Sequence, residues 1–264
     1  MPVEPSARAD LRLLRPLTLP VAVLTVAALG AAPSHAGTVT DPLAPLSTYR
    51  EVADGALPPW ERPPVRSIVT LPGGASVSLR SGPGGREVAR VASRTEFGTQ
   101  TSMGVVRRRG RWLGVSTAAR PNGKLGWVDA RGAAVRRDRT RLAIHVDLSA
   151  RRLELQRDGE VLRRSTVSVG RPGSTTPTGR FAVTDKLRGD RFGSYYGCCV
   201  LALSGTQPNL PPGWPGGNRL AIHGTPNPAS LGGAISAGCV HASAAALELM
   251  IRRVPVGTPV FIRA

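Results

Sequence analysis

Hydrophobic and polar residues alternate over much of the C-terminal half of the chain, which is typical of half-buried β-strands. Residues 142–148 place a Leu, Ile or Val at every second position, and residues 153–155 continue this spacing. Asp158-Gly159 follows shortly afterwards and predicts a tight hairpin turn into another strand. The sequence therefore predicts a domain over residues 140–264 that consists mostly of β-sheet.

One helix and two further strands are predicted in the same region. Residues 220–222 form a short apolar run that ends at His223. Ser243 can cap a helix that runs through Ile251, and Pro255 limits that helix near Arg253 or Val254. Residues 260–262 are predicted to form a last strand. Helix is therefore expected to be a minor element.

Residues 67–137 carry short β-type runs that are split by glycine-rich turns, a pattern that predicts a small barrel. This segment resembles a bacterial SH3-like domain in residues 78–83, 111–115 and 126–128. The resemblance implies either a module that binds cell-wall peptides or a spacer, and the sequence leaves both roles open.

The N-terminal 66 residues are predicted to be processing signal and tether. Residues 1–36 combine a positive start, an apolar run and the small-residue pattern Ser34-His35-Ala36, as a secretory signal peptide does. The apolar run is short for a transmembrane helix, so export is expected, with a membrane anchor only if the signal stays uncleaved. Residues 37–66 are proline-rich and predict an extended linker.

The net charge of +18 and the pI near 11.6 come almost entirely from arginine, since Lys124 and Lys186 are the only lysines. Attraction to an anionic cell-wall polymer is one interpretation, and the codon bias of a GC-rich genome is the other. Nucleic acid is not expected as a partner, because aromatic residues make up only 4% of the chain and export would remove access to DNA.

A candidate nucleophile lies in the stretch Ser-Ala-Gly-Cys-Val-His, at Cys239. A thiol attacks as thiolate, and a nearby imidazole is a common means of making one. The preceding glycine allows a sharp turn, and a helix that starts soon afterwards would lower the thiol pKa. Two imidazoles could serve, His223 at a strand end and His241 two residues beyond the cysteine, and the spacing alone leaves the choice open.

The other two cysteines, Cys198 and Cys199, are neighbours in the chain. A disulfide between adjacent residues strains both the peptide and the bridge, so we expect both to act as small apolar side chains beside a loop, with oxidation or a link to Cys239 as the alternative. No metal site is predicted, because the cysteines and histidines do not supply enough ligands in a suitable spacing.

Residues from about 142 to 262 resemble the L,D-transpeptidase catalytic domain of the YkuD type. The resemblance rests on six stretches in matching order and spacing: residues 176–181, 195–197, 203–204, 222–224, 236–240 and 256–260. It implies a β-sandwich that carries a catalytic cysteine on a loop. The whole chain is then mainly β, with a small SH3-like barrel followed by this sandwich.

The resemblance also implies roles for individual residues. Cys239 is the nucleophile and His223 the base, and the main-chain carbonyl of Gly224 orients the imidazole. The N–H groups of Gly238 and Cys239 form the oxyanion site.

Three more positions correspond to the substrate side of the family's site, namely Ser236, Tyr196 and His241. Two of the family's usual residues differ here. Ala237 stands where the family usually has a second histidine, and His241 stands where it usually has arginine or asparagine. The second difference bears on the affinity for the acyl donor more than on the chemistry.

The function that this resemblance implies is that of an exported peptidoglycan L,D-transpeptidase that works without a cofactor. It would form crosslinks between third residues of stem peptides through a cysteine thioester, and a carbapenem would acylate Cys239. Two alternatives stay open at this stage. One is a carboxypeptidase-type hydrolase on the same site, and the other is a non-catalytic cell-wall-binding protein.

Overall fold

Two β-sheets dominate the computed structural model, which describes residues 66–132, 135–214 and 216–264, all within one compact unit. The predicted signal peptide, residues 1–36, and the predicted linker up to residue 65 lie outside the described residues. Within the described ranges, no helix combines the length and the apolar character needed to cross a membrane.

The first sheet contains seven strands in the order β3-β2-β6-β5-β4-β1-β7. Its own small core is built mainly from aliphatic side chains, with Leu71, Leu79, Val115 and Val128 fully buried. The SH3-like identity of this part stays a prediction. The strands are β1 (Arg66–Thr70), β2 (Ser76–Arg80), β3 (Glu87–Ala92), β4 (Ser102–Arg109), β5 (Trp112–Val115), β6 (Gly126–Asp129) and β7 (Arg136–Thr140).

The second sheet contains eight strands in the order β10-β9-β8-β17-β12-β13-β14-β16, and β11 pairs with β15 in a separate two-stranded sheet. Strand β17 lies between β8, to which it is parallel, and β12, to which it is antiparallel. These strands are β8 (Leu142–Asp147), β9 (Arg152–Arg157), β10 (Glu160–Thr166), β11 (Val169–Gly170), β12 (Gly179–Arg188), β13 (Cys199–Thr206), β14 (Arg219–His223), β15 (Ala234–Ser236), β16 (Val240–His241) and β17 (Pro259–Arg263).

Helices are few, and they are short. The one α-helix in the described part, α1 (Ala244–Arg253), packs its apolar face into the core of the second sheet through Leu247 and Met250. Among the described residues, 3-10 turns cover Gly189–Phe192, Ser194–Tyr196 and Pro228–Ser230. The expected mainly β class is confirmed.

Local predictions in the second sheet are confirmed as well. The predicted alternation forms β8, and Asp158-Gly159 makes the turn between β9 and β10 with both residues at positive φ (55° and 93°). Such a pair of left-handed residues suits the twist of a two-residue hairpin. Ser243 caps α1 by accepting a hydrogen bond from the Ala246 N–H, and the helix ends at Arg253 as expected.

Candidate active site

The candidate nucleophile lies at one edge of the eight-stranded sheet, immediately before strand β16. Strand β16 runs parallel to β14, and the register sets His223 beside His241. The two imidazole rings lie with their centroids 4.5 Å apart. Parallel pairing therefore brings both candidate histidines together, and His241 lies two residues beyond Cys239 in the chain.

His223 is 1% exposed, and its Nδ1 lies 2.7 Å from the main-chain oxygen of Gly224. A carbonyl oxygen can only accept, so Nδ1 carries the proton and Nε2 is left as the acceptor. Burial, followed by the neighbouring His241, lowers the pKa of His223 to about 3, although the bond to Gly224 acts in the opposite direction. The ring is therefore neutral at physiological pH, with the tautomer that a general base requires.

His241 is 3% exposed and lies beneath Tyr195, whose hydroxyl is 3.5 Å from Nε2. Its Nδ1 is buried and has no hydrogen-bond partner among the described residues. Burial lowers the pKa of His241 to about 4. The resemblance placed His241 on the substrate side of the site. In the structure its ring, two residues along the chain from Cys239, is buried beneath Tyr195.

The Cys239 thiol is half-buried, with Sγ 3.9 Å from the main-chain oxygen of Arg219. Burial raises its pKa to about 11, and a main-chain hydrogen bond from Ala221 only partly opposes this. The sequence predicted the opposite direction from the nearby start of α1. That prediction was wrong, because desolvation of a thiolate outweighs a helix terminus that begins five residues further on. At rest the thiol of Cys239 and the imidazole of His223 are thus both neutral.

Hydrogen bonds within the cysteine loop engage both Ser236 and Gly238. The Ser236 hydroxyl is buried, donates to the Cys239 carbonyl and accepts the Gly238 N–H at 3.0 Å. The Gly238 N–H is therefore engaged inside the loop and not offered to an oxyanion. The Ser236 hydroxyl therefore helps to hold the loop together. The Cys239 N–H meets no acceptor among the described residues and stays the candidate oxyanion donor.

Sequence reasoning missed Gln207, which is 3% exposed and lies behind the cysteine loop. Its amide nitrogen is 3.3 Å from the Ala237 carbonyl and also within reach of the carbonyls of Ser174 and Thr175. Gly238 has φ of +123°, and a Cβ there would overlap the Gln207 amide. A glutamine in an irregular segment carries no local signal of such a role, so only the fold could reveal it.

Two adjacent tyrosines form an aromatic wall over the histidines. Tyr196, which the resemblance placed on the substrate side, lies half-buried with its ring 4.9 Å from that of His223. Tyr195, which was not singled out, is 41% exposed and lies 5.5 Å from the same ring. One face of the His223 imidazole is thus shielded from water by the 3-10 turn that precedes β13.

Cys198 and Cys199 form a disulfide in the structure, contrary to the expectation that both act as separate apolar side chains. The bridge lies next to the site, because the Gly224 N–H donates to the carbonyls of Tyr196 (2.9 Å) and Cys199 (3.2 Å). Cys239 is left as the free thiol. In the described part of the chain, no group of three or more His, Cys, Asp and Glu side chains could hold a metal ion.

A free cysteine immediately before β16 and a buried, neutral imidazole of fixed tautomer on the paired strand β14 are groups that acyl transfer needs. Residues 141–262, somewhat under half of the chain, match the family model of the YkuD L,D-transpeptidase catalytic domain. This part is 33% identical over 121 residues to a putative L,D-transpeptidase YkuD of Bacillus subtilis, and 31% identical to the corresponding protein of Bacillus licheniformis. In each comparison the match covers 45% of this chain and 64% of the relative.

Solved structures show a partial likeness. An L,D-transpeptidase from Mycobacterium smegmatis matches with a TM-score of 0.37 and 22% identity over 55% of this chain and 76% of its own. L,D-transpeptidase 3 from Mycobacterium tuberculosis, in complex with a faropenem-derived adduct, matches with a TM-score of 0.38 and 18% identity over 53% and 73%. The family match and the Bacillus relatives support a YkuD-type L,D-transpeptidase catalytic domain in residues 141–262.

Proposed function

We propose that the protein is an exported peptidoglycan L,D-transpeptidase that links the third residues of two stem peptides through a thioester on Cys239. The observation that carries this proposal is the fixed tautomer of His223, whose Nδ1–H is held by the Gly224 carbonyl. An imidazole held in this way accepts a proton only at Nε2, on the side of the ring away from Gly224. No cofactor is required, because a thioester conserves the energy of the cleaved amide.

In the first half-reaction the Cys239 sulfur attacks the carbonyl carbon of a diamino acid that is linked to a terminal D-alanine. The thiol proton passes to His223 Nε2 as the S–C bond forms, since both groups are neutral at rest. The Cys239 N–H donates to the oxyanion of the tetrahedral intermediate. The C–N bond then breaks, and the imidazolium returns its proton to the amine of the departing D-alanine.

In the second half-reaction the side-chain amine of an acceptor stem attacks the thioester. His223 removes a proton from this amine, the new amide forms, and the cysteine leaves as the thiol. Tyr195 and Tyr196 shield the imidazole during both steps, which limits the access of water that would hydrolyse the thioester. Donor and acceptor stem peptides are therefore the proposed partners, in the cell wall outside the membrane.

Incubation with a carbapenem followed by intact-mass measurement tests the nucleophile. We expect one added carbapenem mass on the wild-type chain and none on Cys239→Ala. His223→Ala should acylate about 100-fold more slowly or worse, the range typical of a lost general base. His145→Ala is the matched control, because that ring stacks on Phe261 at 4.8 Å in another part of the sheet and should leave acylation unchanged.

Purified stem peptides then test the reaction itself. A crosslinked dimer, or exchange of the terminal D-alanine for another D-amino acid, is the expected product. Free tripeptide as the sole product would mean that water takes the thioester, and the transferase proposal would be wrong. Full activity of Cys239→Ala would exclude any role of the thiol.

A further inference from the structure

A hairpin loop of the seven-stranded sheet reaches the surroundings of Cys239. The loop connects β3 to β4 and is closed by a bridge between Arg94 and Gln100. Inside it, the Thr95 N–H donates to the Thr99 carbonyl and the Gly98 N–H to the Thr95 carbonyl, both at 2.9 Å. The loop is therefore an ordered turn whose tip carries Phe97.

Phe97 packs against a small buried cluster of three residues of the second sheet, Leu187, Val200 and Ala221. Tyr196 and Cys239 pack against the same cluster. A side chain from the first sheet and the candidate nucleophile thus share one apolar contact surface.

Aromatic contacts extend this arrangement to the catalytic imidazole. The Phe97 ring meets Phe192 edge-on with centroids 5.9 Å apart, and Phe192 lies 5.9 Å from Tyr196. Tyr196 in turn lies 4.9 Å from His223. Phe97 is therefore the outer member of a row of rings that ends at the proposed base.

Polar contacts of the two residues before Phe97 hold the loop in place. The Thr95 hydroxyl donates to the fully buried carboxylate of Asp185 and accepts the Phe97 N–H at 3.3 Å. Glu96 forms an ion pair with Arg219, whose main-chain oxygen is the group that lies 3.9 Å from the Cys239 sulfur. The Thr95 hydroxyl and the Glu96 side chain thus attach the loop to the second sheet directly before Phe97.

We propose that Phe97 is a positioning residue of the active site, which holds Tyr196 against His223 and closes one side of the Cys239 thiol to water. The first sheet then contributes to acyl transfer directly, in addition to any wall-binding or spacing role. This inference rests on the proposed function for the reaction that Phe97 supports, whereas the contact itself can be tested without that reaction.

Removal of the Phe97 ring has two opposite consequences. Water reaches the thiol, so the pKa of Cys239 falls from its raised value. When the thiol pKa falls by one unit, about ten times more thiolate is present at a pH below the pKa. Each thiolate is less nucleophilic, so the net rate with a small alkylating reagent rises about threefold. Acyl transfer slows, because Tyr196 and His223 lose their support.

The experiment compares the full-length wild type with Phe97→Ala, Phe97→Tyr and Trp112→Ala. Trp112→Ala is the matched control, a partly exposed aromatic of the same sheet that lies between Arg80 and Arg111 and outside the Phe97 row. Intact mass gives the rate of alkylation by iodoacetamide and the rate of acylation by a carbapenem, and a thermal melt confirms folding. Cys239 is the free thiol that reports, since Cys198 and Cys199 are bridged.

We expect Phe97→Ala to alkylate about threefold faster and to acylate about tenfold more slowly, while Phe97→Tyr and Trp112→Ala stay near wild type. If Phe97→Ala fails to fold, Thr95→Val, which keeps the Phe97 ring but removes the hydroxyl that bonds Asp185 and accepts the N–H groups of Phe97 and Thr99, should show the same pair of changes. Unchanged rates in both variants, or equal effects in Trp112→Ala, would overturn the proposal. Failure of the proposed function would appear differently, as a wild type that no carbapenem acylates.

Discussion

Replacing Gln207 by alanine is expected to loosen the loop that carries the nucleophile. The Gln207 amide is buried, and it bridges the Ala237 carbonyl to the carbonyls of Ser174 and Thr175, while its oxygen accepts the Asn209 N–H at 3.0 Å. Alanine leaves these main-chain groups without partners in a site that water reaches poorly. The cysteine loop then loses its attachment to the segment behind it.

The size of the effect follows from the number of bonds. An amide nitrogen has two hydrogens, so it serves two of the three carbonyls at a time, and the oxygen adds one more bond. Three hydrogen bonds at about 1 kcal/mol each give a loss of about 3 kcal/mol in the free energy of unfolding. For a folded unit of this size, such a loss lowers Tm by roughly 6–12 °C. A shift of the loop by about 1 Å also slows acylation of Cys239 by about 100-fold.

Thermal melts and carbapenem acylation rates of Gln207→Ala and Gln100→Ala provide the comparison. Gln100 is exposed and donates one bond to the Leu71 carbonyl, so its replacement should change Tm little. Gln207→Glu should be at least as harmful as alanine at neutral pH, because a carboxylate offers no hydrogen to the facing carbonyls, and it should recover partly as acid protonates it. If Gln207→Ala melts and acylates like Gln100→Ala, Gln207 does not hold the cysteine loop in place.

Three further predictions concern pH and the cysteine loop. Alkylation of Cys239 should keep rising with pH towards about 11, and a plateau near pH 7 would show that the thiol is not desolvated. The free energy of unfolding should fall as pH decreases from about 6.5 towards 4, because both histidines are protonated in the unfolded chain but stay neutral in the folded protein down to their lowered pKa values of about 3 (His223) and 4 (His241). Denaturant melts of His241→Gln should show a weaker decline, and a decline equal to that of the wild type would contradict the lowered pKa of His241. Gly238→Ala should abolish acylation and lower Tm more than Gly193→Ala, because a Cβ at Gly238 overlaps the Gln207 amide, whereas Gly193 has φ of +100° but open space around it. Equal changes in Tm would mean that backbone strain alone is responsible.

The elements that the sequence predicted well are those whose signals are local. Alternation fixed the side-chain pattern of β8, the pair Asp158-Gly159 supplied the positive φ values of its hairpin, and Ser243 with Pro255 bracketed α1. In each case the residues that decide the conformation are within a few positions of the element. The chain order of the strands in the sheet was not predictable in this way, because it depends on pairings between distant segments.

In the candidate site, too, the features with local sequence signals were predicted and those that depend on distant segments were not. Cys239 and the two histidines were recognisable in the sequence because a glycine, a thiol and two imidazoles rarely occur together within about twenty residues. The thiol pKa was predicted in the wrong direction, since burial depends on side chains such as Tyr196, which comes from a 3-10 turn more than 40 residues earlier in the chain. Phe97 belongs to a different sheet, and no pattern around it distinguishes it from an ordinary loop aromatic.

The central place of β17 has a consequence for how the domain can fold. Residues 259–263 separate β8 from β12, so the early strands of the eight-stranded sheet have no partner on that side until this segment has been made. The pairing of Ile144 with Val260 closes a loop of more than one hundred residues, and such distant contacts form slowly. The emerging chain therefore stays without its finished sheet, and its nucleophile without its pocket, until synthesis has passed residue 263.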